Sequence, residues 1–320
     1  MAIVTVRNLK KAYGDFYAVD GISFEIEAGE IFGFLGPNGA GKTSTINMLI
    51  GMSRPTEGEI IIDGIRLKED IKRAQRIIGV VPDESNLYDE LNGFENLCFC
   101  ASLYGIGKGE REERARKLLK LFKLEDAADR PFRAYSKGMK RRLTIAAAII
   151  HNPKILFLDE PTTGIDVESA RQIRDLLLAL RREGKTIFLT THYLEEAERI
   201  CDRIAFIVGG KIVKISTMDE LMKNSVQGYT VKLSFEAAKK RLEEVKNHLE
   251  RKFNMDIDIE DEDSCLIRSK EAIPLYPILK DLNDEGIAVF EARTIKPSLE
   301  EIFLRITEIE ASAGKVGMDR

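Results

Sequence analysis

The stretch Ile31-Phe-Gly-Phe-Leu-Gly-Pro-Asn-Gly-Ala-Gly-Lys-Thr43 decides the fold. An apolar, β-forming run leads into a glycine-rich turn that ends in Lys42-Thr43. Apolar positions at helical spacing then continue to Leu49, and Gly51 and Pro55 stop them. The reading is strand, glycine loop, helix, which is the setting that gives the pattern G-x-x-x-x-G-K-[ST] its meaning. By average residue usage the four defining positions (Gly36, Gly41, Lys42, Thr43) coincide in roughly one chain in a hundred of this length. The competing reading is an ordinary glycine-rich turn before a helix, and the strand–loop–helix setting argues against it. The spacing has a physical purpose. Glycines let consecutive backbone N–H groups turn inward toward phosphate oxygens, and the helix start adds its positive dipole end. Lys42 supplies a point charge for the β- and γ-phosphates, and the Thr43 hydroxyl is a candidate ligand for Mg²⁺. The predicted ligand is ATP with Mg²⁺.

A phosphate cradle needs a second group to hold the metal and activate water. Ile155-Leu-Phe-Leu-Asp159-Glu160 offers one: four apolar residues of a buried strand, then two adjacent carboxylates. Asp159 is the candidate Mg²⁺ ligand, through water, because hard cations take oxygen ligands. Glu160 is the candidate general base. A strand ending in Asp-Glu means little by itself, since strand ends often carry charge. Beside a phosphate loop it gains weight.

Outward from these two stretches the chain alternates strand and helix: 155–158, 168–182, 186–190, 194–200 and 204–208. This order implies βαβ units and a largely parallel sheet. Between them, residues 95–104, 110–124 and 137–150 carry helix-period apolar positions, which predicts an inserted helical subdomain over about 85–152. A short capped helix is expected near 216–223. From about residue 228 the order becomes strand 229–235, helix 236–253, strands 256–259 and 265–269, helix 273–283 and strand 288–294. This βαββαβ order predicts a small ferredoxin-like α+β domain. Ser298-Leu-Glu-Glu301 has capping-box spacing before a last helix. The expected division is 1–225, 226–310 and a frayed tail 311–320.

Composition narrows the function. The 320 residues are 44% apolar and 32% charged, with a formal net charge of −4. Such interspersed charge gives no basic field for wrapping nucleic acid. Cys98, Cys100, Cys201 and Cys265 are scattered, with no CxxC pair and no histidine at ligand spacing, so neither a zinc site nor a disulfide framework is indicated. A reducing, cytoplasmic setting fits. The first ten residues read as a strand and not as a secretory leader. No apolar run approaches the roughly 18–20 residues needed to cross a bilayer. If the protein serves a membrane, a separate chain spans it.

The order of further motifs resembles the nucleotide-binding subunit of ATP-binding cassette (ABC) transporters. After the phosphate loop come Tyr135-Ser-Lys-Gly-Met-Lys-Arg-Arg-Leu143, similar to the family's signature motif, and Asp159-Glu160. Thr163-Gly-Ile-Asp166 then resembles its D-loop, and Thr190-Thr-His192 its switch histidine. The resemblance covers residues 1 to about 225. Lys137-Gly-Met-Lys and Pro297-Ser-Leu-Glu-Glu-Ile-Phe303 are similar to exporters of the drug-resistance and sodium-extrusion type, which often carry an added C-terminal domain.

The resemblance implies roles. Gly36, Pro37, Asn38, Gly39, Ala40, Gly41, Lys42, Thr43 and Ser44 hold the phosphates of ATP, and Tyr13 stacks on adenine. Ser136 and Gly138 close over the γ-phosphate from a second copy in a head-to-tail dimer. His192 senses the γ-phosphate, Asp166 holds the dimer seam, and Mg²⁺ sits among Thr43, Asp83 and Asp159. The implied partners are a second ATP-binding subunit, as a homodimer, and a separate transmembrane permease, which places this subunit in the cytoplasm, peripheral on the inner face of the cell membrane. Plainer readings stand beside these. A tyrosine near a turn can be packing, Ser136 can be a simple helix cap, Asp166 can be a helix N-terminal acid, and a lone histidine is usually structural. A soluble, nucleotide-gated ATPase with a regulatory role is the alternative function.

Two departures from the family pattern stand out. Asp83 replaces the expected glutamine and adds negative charge beside Asp159 and Glu160. Lys137 and Met139 differ from the commonest signature, while Ser136 and Gly138 remain. The acidic stretch 256–263 lacks glycine at the sixth position of a calcium loop and reads as a solvated hairpin. The basic runs 140–142 and 239–241 read as solvated helix faces. The helix carrying Phe94, Phe99 and Tyr104 reads as core, with any exposed aromatic available to the membrane partner.

Overall fold

A computed structural model describes residues 1–224, 229–235, 239–269, 271–295, 298–304 and 306, with side chains 222–224 and 239–241 excepted. It divides into two compact units that part between Met218 and Asp219. The strands of the first unit are β1 (Ala2–Tyr13), β2 (Phe16–Glu27), β3 (Ile31–Leu35), β4 (Glu57–Ile62), β5 (Ile65–Arg66), β6 (Ile78–Val81), β7 (Ile155–Asp159), β8 (Thr186–Thr191), β9 (Arg203–Val208) and β10 (Lys211–Thr217). Its helices are α1 (Lys42–Leu49), α2 (Ile71–Gln75), α3 (Gly93–Leu103), α4 (Lys108–Leu121), α5 (Lys137–Ile149), α6 (Val167–Arg182) and α7 (Leu194–Ile200).

The burial patterns sort these strands into two sheets. In β2, Ile22, Phe24 and Ile26 are buried while Ser23 and Glu25 face out, the two-residue alternation of a sheet covered on one side. β3, β7 and β8 are buried at every position, as parallel strands covered on both faces must be. The first sheet is antiparallel, β2-β1-β4-β5, and the second runs β10-β9-β3-β8-β7-β6. The second is parallel except for the β9–β10 pair. Between them Phe24 stacks on Phe32 at 5.6 Å, with Phe188 at 6.2 Å.

This order sets the carboxyl ends of β3, β8 and β7 side by side, the place where open α/β sheets bind ligands. The glycine loop follows β3, Asp159 ends β7 with Glu160 next, and His192 follows β8. The separate antiparallel sheet was not anticipated from the sequence. Ser216 and Thr217 end β10 instead of opening a helix, and the helix that follows, α8 (Met218–Asn224), starts later.

The inserted helical segment contains α3, α4 and α5. The Asn92 side chain accepts the Glu95 N–H at 2.8 Å while Glu95 Oε2 accepts the Asn92 N–H at 2.9 Å, so a reciprocal capping box starts α3. Buried Asn96 donates to the carbonyls of Tyr88, Leu91 and Asn92 and accepts the Tyr88 N–H, which pins the loop ahead of the helix.

The second unit contains β11 (Tyr229–Phe235), α9 (Lys239–Phe253), β12 (Asp256–Ile259), β13 (Ser264–Ser269), α10 (Leu275–Asp284) and β14 (Val289–Ile295). Its sheet order is β12-β13-β11-β14, antiparallel throughout, which is the ferredoxin-like arrangement. Val231, Leu233 and Phe235 pack with Leu242, Val245 and Leu249 of α9 and with Ile278 and Leu282 of α10. The acidic stretch forms the β12–β13 hairpin. Residues 299–304 are helical, and Ser298 Oγ accepts the Glu301 N–H at 3.2 Å. The expected boundary near 225 and the tail 311–320 lie outside the described residues, as do the side chains of the basic run 239–241. Among the described residues no helix is long and apolar enough to cross a membrane.

Candidate active site

The glycine loop is shaped by its close approach to β2. Gly41 has φ 103°, and a Cβ there would lie 2.3 Å from the Ala18 carbonyl oxygen, so no side chain is tolerated. No side chain caps α1, which leaves its first N–H groups for an anion. Pro37, Asn38, Gly39 and Thr43 are exposed, Ser44 is half-buried and Ala40 is buried. Lys42 is only 6% exposed. Its ammonium donates to the carbonyls of Gly36 at 2.8 Å and Pro37 at 3.2 Å, and lies 3.3 Å from Glu160 Oε1.

Glu160 joins the loop to the neighbouring strand ends. Its second oxygen, Oε2, accepts from His192 Nδ1 at 2.9 Å and from the Thr163 hydroxyl at 3.2 Å. Its backbone is left-handed, φ 49°, a conformation that costs a glutamate about 1–3 kcal/mol. The Glu160 N–H is held there by the carbonyl and hydroxyl oxygens of Thr190, at 3.2 and 3.1 Å. The same hydroxyl donates to Asp159 Oδ1. Thr190 therefore holds the Asp159 carboxylate and the Glu160 backbone, a role that its place in Thr190-Thr-His192 did not disclose.

A buried arginine that sequence reading missed completes the polar site. Arg141 of α5 donates to the carbonyls of Pro82, Asp83 and Glu160, and its Nη2 lies 3.6 Å from Asp83 Oδ1. The reading of 140–142 as a solvated face is thus corrected. Arg142 donates to the Phe122 carbonyl at 2.9 Å, and Lys140 lies 4.9 Å over the Phe132 ring. Periodicity held the signal: Arg141 falls three residues after Gly138 and four before Ile145, on the buried face of α5. Burial lowers the guanidinium pKa, while Asp83, Asp159 and Glu160 oppose that shift. Arg141 is therefore the counter-charge for the acid that Asp83 adds.

The remaining candidates occupy local positions. Tyr13 ends β1 in an exposed hairpin, with Lys11 Nζ 5.1 Å from its ring. Ser136 caps α5 by accepting the Met139 N–H at 3.2 Å. Gly138 packs on the start of α6, where a Cβ would lie 2.2 Å from Ser169 Oγ. Asp166 caps α6, accepting from the Ser169 N–H at 2.9 Å and its hydroxyl at 2.7 Å. These hydrogen bonds lower the Asp166 pKa. Asp83 is 58% exposed. The structure thus brings together Lys42, Asp159, Glu160, Thr190 and His192. Ser136, Gly138 and Asp166 gather at the facing starts of α5 and α6.

Residues 19–163, from β2 through the acid pair, match the model of the family described as ABC transporter. The chain is 35% identical to the linearmycin resistance ATP-binding protein of Bacillus subtilis, covering 95% of this chain and 98% of that protein. The chain belongs to the ATP-binding subunits of ABC transporters. It is 36% identical to the daunorubicin/doxorubicin resistance ATP-binding protein of Streptomyces peucetius, over 95% of this chain and 92% of that one. Among solved structures, a dimeric ATP-binding cassette in a post-hydrolysis state with ADP and phosphate is 30% identical. It aligns with a TM-score of 0.63 over 67% of this chain and 98% of that one. As an ABC ATP-binding subunit the protein binds ATP and hydrolyses it.

Proposed function

We propose that two copies of this subunit close head to tail on two ATP molecules and thereby drive a separate membrane permease, in the direction of export. The Glu160 carboxylate carries the reading, because one side chain contacts both the phosphate-loop lysine and the switch histidine. In the proposed cycle Lys42 exchanges Glu160 for a phosphate oxygen, and Glu160, held by His192 and Thr163, takes the proton of the attacking water. Tyr13 lies against adenine, and residues 36–44 cradle the phosphates. Ser136 and Gly138 of the other copy offer the start of α5 to the γ-phosphate, with Asp166 at the seam. The donor chemistry fits Mg²⁺: the Thr43 hydroxyl and the Asp159 carboxylate would offer it hard oxygen atoms, with Asp83 the outer candidate. Bound there, Mg²⁺ would neutralise charge on the β- and γ-phosphates.

The names of the resistance proteins, and the 40% identity over 225 residues to a Nod factor export ATP-binding protein of Cupriavidus metallidurans, support the export direction. A groove of about 960 Å³ supports permease docking. Ile50, Met52, Val80, Leu103, Tyr104 and His151 are among its lining, and Leu103 is 69% exposed. An amphipathic helix from a membrane chain fits such a surface. The subunit then works peripherally on the inner face, with residues 1–225 as the cassette, about 85–152 as its helical arm and 226–310 as an accessory domain.

Mixing two inactive variants tests the head-to-tail site. Lys42→Ala spoils the phosphate loop and Ser136→Glu spoils the opposing helix start. A mixed dimer then has one doubly damaged site and one intact site, so phosphate release should reappear on mixing. If mixing restores nothing, both halves of the site come from one chain and the proposal fails.

A further inference from the structure

The sheet of the second unit has two edges, and they differ. β12 is four residues long and reads Asp-Ile-Asp-Ile, so pairing it with a copy of itself would bring Asp256 and Asp258 against acids. Short, charged edges resist such pairing. β14 is seven residues long, and among the described residues it hydrogen-bonds to β11 on one side only. Residues 290–294 are all exposed, including Phe290 at 66%.

The sequence of β14 is self-complementary. A two-fold axis normal to a sheet keeps each residue on its own face, so opposed residues must be an even number apart in the chain. Three registers then centre near the middle of the strand. Centring on Glu291 sets that acid against itself, and centring on Arg293 sets that base against itself. Centring on Ala292 opposes Glu291 to Arg293 twice, Phe290 to Thr294 and Val289 to Ile295. Within one chain Arg293 stands across from Lys232, which is committed to Glu260 at 2.7 Å and Asp261 at 3.5 Å. Among the described residues neither Glu291 nor Arg293 has an ion-pair partner.

We propose that β14 pairs antiparallel with β14 of a second copy about Ala292, joining the two four-stranded sheets into one. The Glu291–Arg293 pairs fix the register, and the backbone ladder and the exposed Phe290 supply the rest. This interface is separate from the ATP-closed one and needs no nucleotide. It is therefore measured on the full chain without ATP, by sedimentation, where failure of the head-to-tail site has no bearing on it.

Wild type should self-associate reversibly. Glu291→Arg and Arg293→Glu should each weaken association by about tenfold or more, since each places like charges together twice. The double exchange, Glu291→Arg with Arg293→Glu, should restore it. Under mild oxidation Ala292→Cys should cross-link to its own copy beyond the wild-type background, whereas Glu291→Cys alone should not. A wild-type chain that stays monomeric, single reversals without effect, a double exchange that does not recover, or cross-linking through Glu291→Cys would each overturn the proposal. Circular dichroism of every variant separates lost pairing from lost folding, and a variant that unfolds is replaced by the charge-neutral Glu291→Gln, expected to weaken association less than Glu291→Arg. Association of Glu291→Gln that equals wild type would count against the register.

Discussion

Two of the sheets of this protein, the six-stranded one and that of the C-terminal unit, display their chemistry in opposite ways. In the six-stranded sheet the central strands β3, β7 and β8 are covered at every position, so their functional polar groups emerge at the strand ends. Lys42, Asp159, Glu160, Thr190 and His192 gather there. The four-stranded sheet of the C-terminal unit covers only one face, and its charges lie along the strands: Lys232 with Glu260, Arg268 with Asp258, then Glu291 and Arg293. A sheet closed on both sides concentrates function at one rim. A sheet open on one side spreads charge along its length, where solvent screens it.

The sharpest test of that contrast is Glu160→Gln. The amide keeps the shape and can still face Lys42 and His192, but it cannot take a proton. Turnover should fall by about 10²–10⁴-fold while the thermal midpoint moves little. ATP should still bind and hold the dimer closed. Undiminished phosphate release would sink the general-base assignment, and a collapse of stability would mean that the rim belongs to the core.

Arg141 asks whether the rim depends on the helical arm. Arg141→Met keeps the apolar stem but leaves the carbonyls of Pro82, Asp83 and Glu160 without their donor and Asp83 without its counter-charge. The expected cost is about 2–4 kcal/mol, read as a lower denaturation midpoint, with turnover reduced as well. Unchanged stability would show that water replaces the guanidinium and that the rim stands without α5.

How much of this was legible depended on distance along the chain. The glycine loop and Asp159-Glu160 are local patterns bounded by apolar runs, and they were read directly. So was the βαββαβ order of the second unit, because its amphipathic helices and short strands differ in period. The separate antiparallel sheet was not, because β1 must find β4, pairing Val4 with Ile62 across more than fifty residues. Arg141 was misread as part of a charge run, since what buries it are backbone carbonyls of other segments, which no composition reveals. Asp83 looked like an uncompensated acid for the same reason.

The amino-terminal end of the parallel sheet offers a smaller effect, set by pH. His151 stacks on Tyr104 at 3.6 Å, donates from Nε2 to the Ile78 carbonyl at 2.9 Å and has no partner for buried Nδ1 among the described residues. Burial pushes its pKa down from 6.5 to about 4, so the folded chain prefers the neutral ring. Below pH 6.5 the unfolded chain takes up the proton first. Stability should therefore be fully present above 6.5, fall between about 6.5 and 4, and level off below. Allowing for partial exposure, the loss is about 1–2 kcal/mol. Denaturation midpoints of wild type and His151→Gln across that range should converge at low pH, and parallel curves would remove the assignment.

The smallest effect is expected along the open sheet. Arg268 and Asp258 pair across β12 and β13 with both side chains about half exposed. Water screens such a pair, so Arg268→Gln should cost under about 1 kcal/mol and leave ATP turnover unchanged. The comparison turns on this modest number. If losing one exposed charge on β13 lowered stability as much as losing buried Arg141, charge along the open sheet would be structural. The distinction between rim and surface would then have to be abandoned. Equal midpoints for Arg268→Gln and wild type, measured beside a lowered Arg141→Met, would show that position on the sheet, and not charge itself, decides what a polar group contributes.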